Sequence, residues 1–226
     1  MTKHLTKVRS APPARPEAWQ RRQEEILEKA ADLFAEHGYS DTDTQFLADQ
    51  LRVGKGTLYR YFPHKEDLFL AAVDRVIRQL HERVDGAMAE AQDPIDRIRR
   101  AVGAHLAFFA EHSRYVELLI QERALFKDRR QPTYFQHRDA YAEQWRELYR
   151  GLIAAGRVRR IPIERIRAVI SDLLYGTMFT NYFTGRRRDP AEQAENILDI
   201  FFHGILSDRQ RQPAKMDEGC EIKDEG

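Results

Sequence analysis

Apolar residues recur along most of this chain every three or four positions, the spacing of one helical face. Ile26, Ala30, Leu33 and Phe34 make the first such stripe, in a segment starting near Arg21, and Gly38 supplies its stop. Thr42 or Asp43 caps a second, short helix that runs through Leu51 and turns Phe46, Leu47 and Leu51 inward. After a break at Arg52-Val53-Gly54, a third short helix is predicted from Lys55 to about Phe62, with Leu58 and Phe62 on its inner face. Pro63 ends it, because the residue before a proline is pushed out of the α region.

The same period continues after Lys65. Leu68, Phe69, Ala72, Val73, Val76, Ile77 and Leu80 form a strong stripe. A helix opening at Asp93-Pro94 carries Ile95, Ile98, Val102, Leu106 and Phe109, with the proline well placed in the first turn. A shorter segment holds Tyr115, Leu118 and Leu119. Pro132 restarts one long helix through Tyr141, Trp145, Leu148, Tyr149 and Leu152, closing near Gly156. Ile163, Ile166, Ile170, Leu173 and Leu174 continue in another, and the last begins at Pro190 and shows Ile197, Ile200, Phe201, Phe202 and Ile205. No convincing alternation of period two calls for a strand. The expected fold is all-α, with about nine helices.

Composition narrows the chemistry. With 226 residues, 42% of them hydrophobic, the chain can bury a real core, and 32% charged residues give it a solvated surface. The net charge of +1 supplies no global basic field, so any contact with nucleic acid must come from local charge. Cys220 has no second cysteine to pair with, which suits a reducing compartment. No apolar run approaches the roughly 18 residues needed to span a bilayer, and Met1–Arg15 lacks the apolar stretch of a signal peptide. A cytoplasmic location without membrane contact is expected.

The local charge lies around the third helix. Two helices of about two turns, split by a three- to four-residue break, have the size of a helix-turn-helix, whose second helix enters the major groove. Arg52, Lys55, Arg60 and Lys65 are basic, and no acid occurs from Val53 to Lys65. Thr57, Tyr59, Tyr61 and His64 add hydrogen-bonding groups, and Gly54 and Gly56 let the backbone approach a duplex closely. The run Val53-Gly54-Lys55-Gly56-Thr57 is not a phosphate-binding P-loop. That motif needs lysine directly before serine or threonine, after a strand and a longer loop.

The run Gly54-Lys55-Gly56-Thr57-Leu58-Tyr59-Arg60-Tyr61-Phe62, followed by Lys65-Glu66-Asp67-Leu68, resembles the signature of the TetR family of transcriptional regulators. Ala30-Ala31-Asp32-Leu33-Phe34 with Gly38-Tyr39, and Leu47-Ala48, resemble that family's first and second helices. The resemblance implies a ligand-released repressor that binds double-stranded operator DNA as a homodimer and needs no cofactor. It implies DNA contacts from Lys55, Thr57, Tyr59, Arg60, Tyr61 and Lys65; the chemistry of Thr42, of Thr44 (where the family usually has an apolar residue) and of Gln45, Gly56 and His64 adds these as expected contacts. It further implies an effector pocket, for which Phe108, Phe109, Tyr115, Phe126, Trp145, Tyr149, Tyr175 and Phe179 are candidates, with Arg114, Gln121, Arg123 and Asn181 as polar anchors. Pairs of the last two helices are implied to form a four-helix dimer seam through Ile166, Ile170, Leu173, Ile197, Phe201 and Ile205. With the proline-rich, acid-poor start and the charged end read from composition, the expected domains are a flexible basic arm (1–18), a helix-turn-helix domain (19–66), an effector and dimerisation domain (67–208) and a disordered tail (209–226). Two departures stand out: Arg52 replaces the usual turn glycine, and Gly54 replaces a serine, leaving the third helix without a side-chain cap.

Other functions find less support. His105 and His112, seven residues apart, lack the carboxylate or cysteine partners of a metal site. No nucleophile, paired carboxylate or cofactor loop suggests catalysis. The competing expectation is a DNA-bound structural or partner-binding protein of the same fold without a small-molecule effector.

Overall fold

The computed structural model describes residues 17–205, so the expected N-terminal arm (apart from residues 17 and 18), the C-terminal tail and Cys220 lie outside the described residues. Ten helices and no strand occur among them: α1 (Glu17–Asp41), α2 (Thr44–Gln50), α3 (Lys55–Tyr61), α4 (Lys65–Ala89), α5 (Pro94–Glu111), α6 (Tyr115–Leu125), α7 (Thr133–Ala140), α8 (Ala142–Ala154), α9 (Ile163–Thr184) and α10 (Pro190–His203). The count exceeds nine because the expected long helix after Pro132 is two. Tyr141, at φ −86° and ψ 6°, closes α7 and opens α8.

Local chemistry explains the first three helices. Gly38 sits at φ 83° and ψ 160°, so the α1 ladder breaks there although helical turns resume to Asp41. Only glycine takes that conformation without a Cβ penalty. Asp43 caps α2 by accepting from the Gln45 amide at 2.8 Å. Arg52 carries the turn at φ 52°, a left-handed conformation that costs a residue with a Cβ about 1 kcal/mol. Gly54 caps α3 with no side-chain hydrogen bond. One inward assignment fails: Phe46 is 45% exposed, and its ring lies edge-on to His37 at 6.3 Å. With only two turns, α2 buries the Thr44, Leu47 and Ala48 face, leaving Phe46 on the flank.

One core joins α1–α3 to the rest. Ile26, Phe34, Leu47, Leu58, Phe69, Val73 and Leu118 belong to a single buried cluster that runs from α1 to α7 and takes in Met178 of α9. Ion pairs fasten the α1–α4 seam, with Arg75 reaching Glu24 at 3.1 Å and Glu28 at 3.0 Å, and Arg78 reaching Glu24 at 3.3 Å. The buried amide of Gln121 on α6 completes the α1 break: it accepts from the Tyr39 amide at 2.6 Å and donates to the Phe34 carbonyl at 3.2 Å. A second cluster, around Ile98, Leu106, Tyr149, Leu152, Ile166 and Leu198, holds α5, α8, α9 and α10 together.

Candidate nucleic-acid interface and effector cavity

The α3 helix buries a single side chain, Leu58, and Phe62 just beyond it is buried too. Its opposite face is therefore free. Lys55, Gly56, Tyr59 and Arg60 are exposed, Thr57 is partly covered, and His64 is exposed at the entry to α4. Tyr59 is fixed by its hydroxyl, 3.2 Å from that of Thr44, while the Lys55 ammonium stands 6.0 Å from its ring. Tyr61 is half-buried against Trp19, ring centroids 4.5 Å apart, so the first turns of α1 brace the end of α3. The Arg22 guanidinium donates to the Leu51 carbonyl at 2.7 Å, satisfying the C-terminus of α2. A methyl group at Gly56 would meet no atom within 4 Å, so nothing inside this chain requires a glycine there.

Three expected DNA-contact residues are committed inward or sideways. Thr42 is 2% exposed, its hydroxyl donating to the Gly38 carbonyl at 2.6 Å, which makes it a clasp for the α1 break. Thr44 is 7% exposed and serves Tyr59. Lys65 folds back to donate to the Ser40 carbonyl at 3.2 Å, its ammonium 4.6 Å from the centre of the Tyr39 ring. Gln45 is exposed and donates to Asp49 at 2.8 Å.

A cavity of about 220 Å³ opens between α4, α5, α7, α8 and α9. Leu80, Val84, Ile98, Val102 and Leu174 give it aliphatic walls, and Tyr134, Tyr141, Trp145 and Tyr149 give it aromatic ones. Charged side chains on the wall are matched within the chain. Glu164 meets Arg146 at 2.6 Å and Arg167 at 2.5 Å, and Asp139 accepts from Arg138 at 3.1 Å and from Gln131 at 2.7 Å. Burial is the main force holding His81 and His105 neutral, each down to about 4; the neighbouring histidine charges, His137 and His81 respectively, add to it. His81 stacks on Tyr141 at 4.0 Å, and His137 beside it lies 2.7 Å from Asp74 of α4. That hydrogen bond is the largest cause holding the Asp74 carboxyl below its ordinary range.

Of the expected pocket residues, Trp145 and Tyr149 line this cavity. Tyr175 lines a second opening of about 600 Å³ beside the α6–α7 loop, which shares Tyr134 with the first. Phe108 and Phe109 are buried in the larger core, and Tyr115, Phe126 and Phe179 pack partly covered against it; none of the five lines either space. Their rings find one another instead, as in the stack of Phe126 on Phe69 at 5.5 Å. Among the polar anchors, Gln121 holds α1, Asn181 exchanges hydrogen bonds with Gln193 of α10, Arg114 pairs with Glu36 at 3.6 Å, and Arg123 borders the second opening. Sequence reasoning missed His81 and Tyr141 as cavity residues, counted Tyr134 only among the aromatics that could line a pocket or fill the core, and weighed His105 as core, surface or metal ligand. Yet the signal for His105 was present: a polar residue inside the apolar stripe Ile98, Ala101, Val102, Leu106 and Phe109. His112 is exposed and stacks on Tyr115, so the two histidines share no site.

The last two helices leave apolar side chains in the open. Val169 (46% exposed), Leu173 (41%) and Phe183 (68%) follow one face of α9, and Ile200 (51%) on α10 and Ile205 (83%) just beyond it are exposed as well. The expected seam residues divide. Leu173 and Ile205 are exposed, and Ile197 and Phe201 are partly buried against the second cluster. Ile166, 4% exposed, is core, and Ile170 lines the cavity, because the α9 stripe is wide enough to face two ways.

The N-terminal segment with this geometry, residues 26–72, matches the family described as bacterial regulatory proteins of the tetR family. Residues 91–205, more than half of the chain, match the tetracyclin repressor-like C-terminal domain. The chain belongs to the TetR family. One curated member, an uncharacterized HTH-type transcriptional regulator YhgD of Bacillus subtilis, is 32% identical over 99 residues, 44% of this chain and 51% of that protein. The chain spans about half the length of the curated relatives it matches. Among solved structures, the fatty acid degradation regulator FadR from Bacillus halodurans superposes with a TM-score of 0.70 at 18% identity, covering 81% of this chain and 96% of that one. FadR from Bacillus subtilis, solved in complex with stearoyl-CoA, gives 0.66 at 18% identity, covering 81% and 99%. At such identities the two FadR structures are likenesses of fold.

Proposed function

We propose that this chain is a sequence-specific DNA-binding transcriptional regulator, a cytoplasmic homodimer that a small ligand moves off its operator. The observation that carries the reading is the outward face of α3: Lys55, Tyr59 and Arg60 exposed, one side chain of the helix buried, and no acid from Val53 to Lys65. Exposed arginine and lysine on a short, rigidly backed helix suit base edges in the major groove, and the tyrosine and threonine hydroxyls suit phosphates. The apolar α9–α10 face supplies a surface for a second copy, which would place two α3 helices about 34–36 Å apart, or a multiple, on successive groove faces.

Coupling runs through α4. That helix starts four residues after α3 ends and contributes Leu80, His81 and Val84 to the cavity wall. A ligand wedged between α4, α5 and α7 that prefers a tilted α4 would change the spacing of the paired α3 helices. It acts only through that difference in affinity. Genomic fragments retained by the chain, followed by a transcription assay from those fragments, test the reading. Reproducible recovery of particular promoters, repressed by the chain and relieved by a bound small molecule, is the expected result. Uniform recovery of all fragments would overturn sequence-specific control, and repression indifferent to every ligand that enters the cavity would favour a DNA-bound scaffold.

A further inference from the structure

Two buried polar atoms in the cavity wall have no hydrogen-bond partner: Nε2 of His105 and the hydroxyl of Tyr149. The residues are 7% and 1% exposed. A buried donor or acceptor without a partner is costly, and folded chains pair the great majority of theirs. The two residues come from different helices, α5 and α8, and line the same cavity. The surrounding wall is aliphatic and aromatic, and its carboxylates, Glu164 and Asp139, are already answered by Arg146, Arg167 and Arg138.

Resting on the effector reading above, we propose that the ligand of this cavity is an uncharged, mainly apolar molecule bearing a hydroxyl or carbonyl oxygen that His105 and Tyr149 bind. The wall's charged groups answer one another, so none is left waiting for an ionic ligand. Burial keeps the imidazole neutral, so its Nε2 accepts from a hydroxyl or, in the other tautomer, donates to a carbonyl. The tyrosine hydroxyl donates to either oxygen. A phenol or secondary alcohol carries both functions in one group, able to donate to a ring nitrogen and to accept from a tyrosine. The Trp145 indole on the same wall gives the binding an optical signal.

The full chain is titrated, following Trp145 fluorescence, with three matched probe sets: naphthalene, 2-naphthol and 2-naphthoate; cyclododecane, cyclododecanol and cyclododecanone; octane, 1-octanol and octanoyl-CoA. In at least one set the hydroxyl or ketone probe should bind 10-fold or more tighter than its hydrocarbon and its anion, as loss of two hydrogen bonds of ordinary strength implies. Tyr149→Phe and His105→Leu should each reduce that preference about 3- to 10-fold. Each should also raise the melting temperature of the free protein, because the orphaned group is gone; that keeps the test meaningful if binding is weak. Equal binding of hydrocarbon and alcohol, preference for naphthoate or octanoyl-CoA, binding by no probe, or variants that melt lower and keep wild-type selectivity would each overturn the proposal. Alcohol-selective binding that leaves DNA affinity unchanged would uphold it while refuting ligand control of DNA. Tight operator binding released only by an anion would do the reverse.

Discussion

The helices at the two ends of α4 solve opposite packing problems. In α1–α3 the interior is closed: Ile26, Phe34, Leu47 and Leu58 are 0–1% exposed, and the polar side chains turn outward or bind backbone at breaks. Between α4 and α9 the interior is unfinished. The buried side-chain atoms left without a polar partner among the described residues, on His105 and Tyr149, fall in this part, in α5 and α8. Both described cavities are there as well. A part that reads a rigid duplex gains from being fixed before it binds. A part that must respond to a ligand needs space and polar atoms for that ligand to complete. Chemistry on the outside of one region and on the inside of the other is the same division seen twice.

The comparison can be broken at several points. The largest effect is expected at Leu173→Glu, which places a charge on the exposed α9 face. The proposed dimer should dissociate to folded monomers in sedimentation or light scattering, and DNA affinity should collapse with it. A dimer of wild-type strength would move the seam elsewhere. Next, Glu122→Ala removes the buried carboxylate that accepts from the Thr133 amide at 2.9 Å and its hydroxyl at 2.8 Å and meets Arg129 at 2.9 Å. Leaving these groups unmatched in the less finished half should cost about 3–5 kcal/mol in denaturant unfolding. A loss below about 1 kcal/mol would mean that water replaces the carboxylate easily.

The pH dependence sharpens the contrast further. Both His81 and His105 are depressed to about 4 from the ordinary 6.5, chiefly by burial, and both belong to the cavity half. Between those values the unfolded chain binds protons that the folded chain refuses, so stability should fall as pH drops from 6.5 toward 4 and stay level above. His105→Leu should flatten that slope in thermal melts across the range. An unchanged slope would place the titration elsewhere. The smallest effect concerns the closed half: Gly56→Ala should stabilise α3 by about 0.5–1 kcal/mol while weakening DNA binding. Tighter binding together with higher stability would show that the backbone does not need close approach there.

How much of this was legible in the chain follows the same division. The Lys55–Phe62 run could be placed on a helix, with its inner and outer faces, because two turns backed by Leu58 leave little freedom. The left-handed Arg52 and the uncapped Gly54 were visible as departures from a pattern. Thr42 and Thr44 turn to the α1 break and to Tyr59, which sequence does not reveal because hydroxyls serve breaks and neighbours as readily as phosphates. The cavity was harder. Aromatic residues such as Phe108 and Phe126 look like pocket lining in sequence, yet large rings fill space and pack on one another. What marks a binding site is the exception, a histidine in an apolar stripe or a tyrosine hydroxyl with no partner, and partners are set by tertiary packing. The split of α9 between core, cavity and open face likewise depends on neighbours far away in the chain.

The most direct test of the regulator reading is selection of bound duplexes from a fully randomised pool, run with the wild-type chain and with Arg60→Ala. The wild type is predicted to enrich a two-fold symmetric motif whose half-sites lie about 10 base pairs, or a multiple, apart. Arg60→Ala is predicted to lose preference at one position in each half-site, worth about 1–3 kcal/mol, while its salt-dependent non-specific affinity largely remains. A wild-type chain that enriches no motif, or an Arg60→Ala chain that keeps both motif and affinity, would contradict base reading by the exposed face of α3.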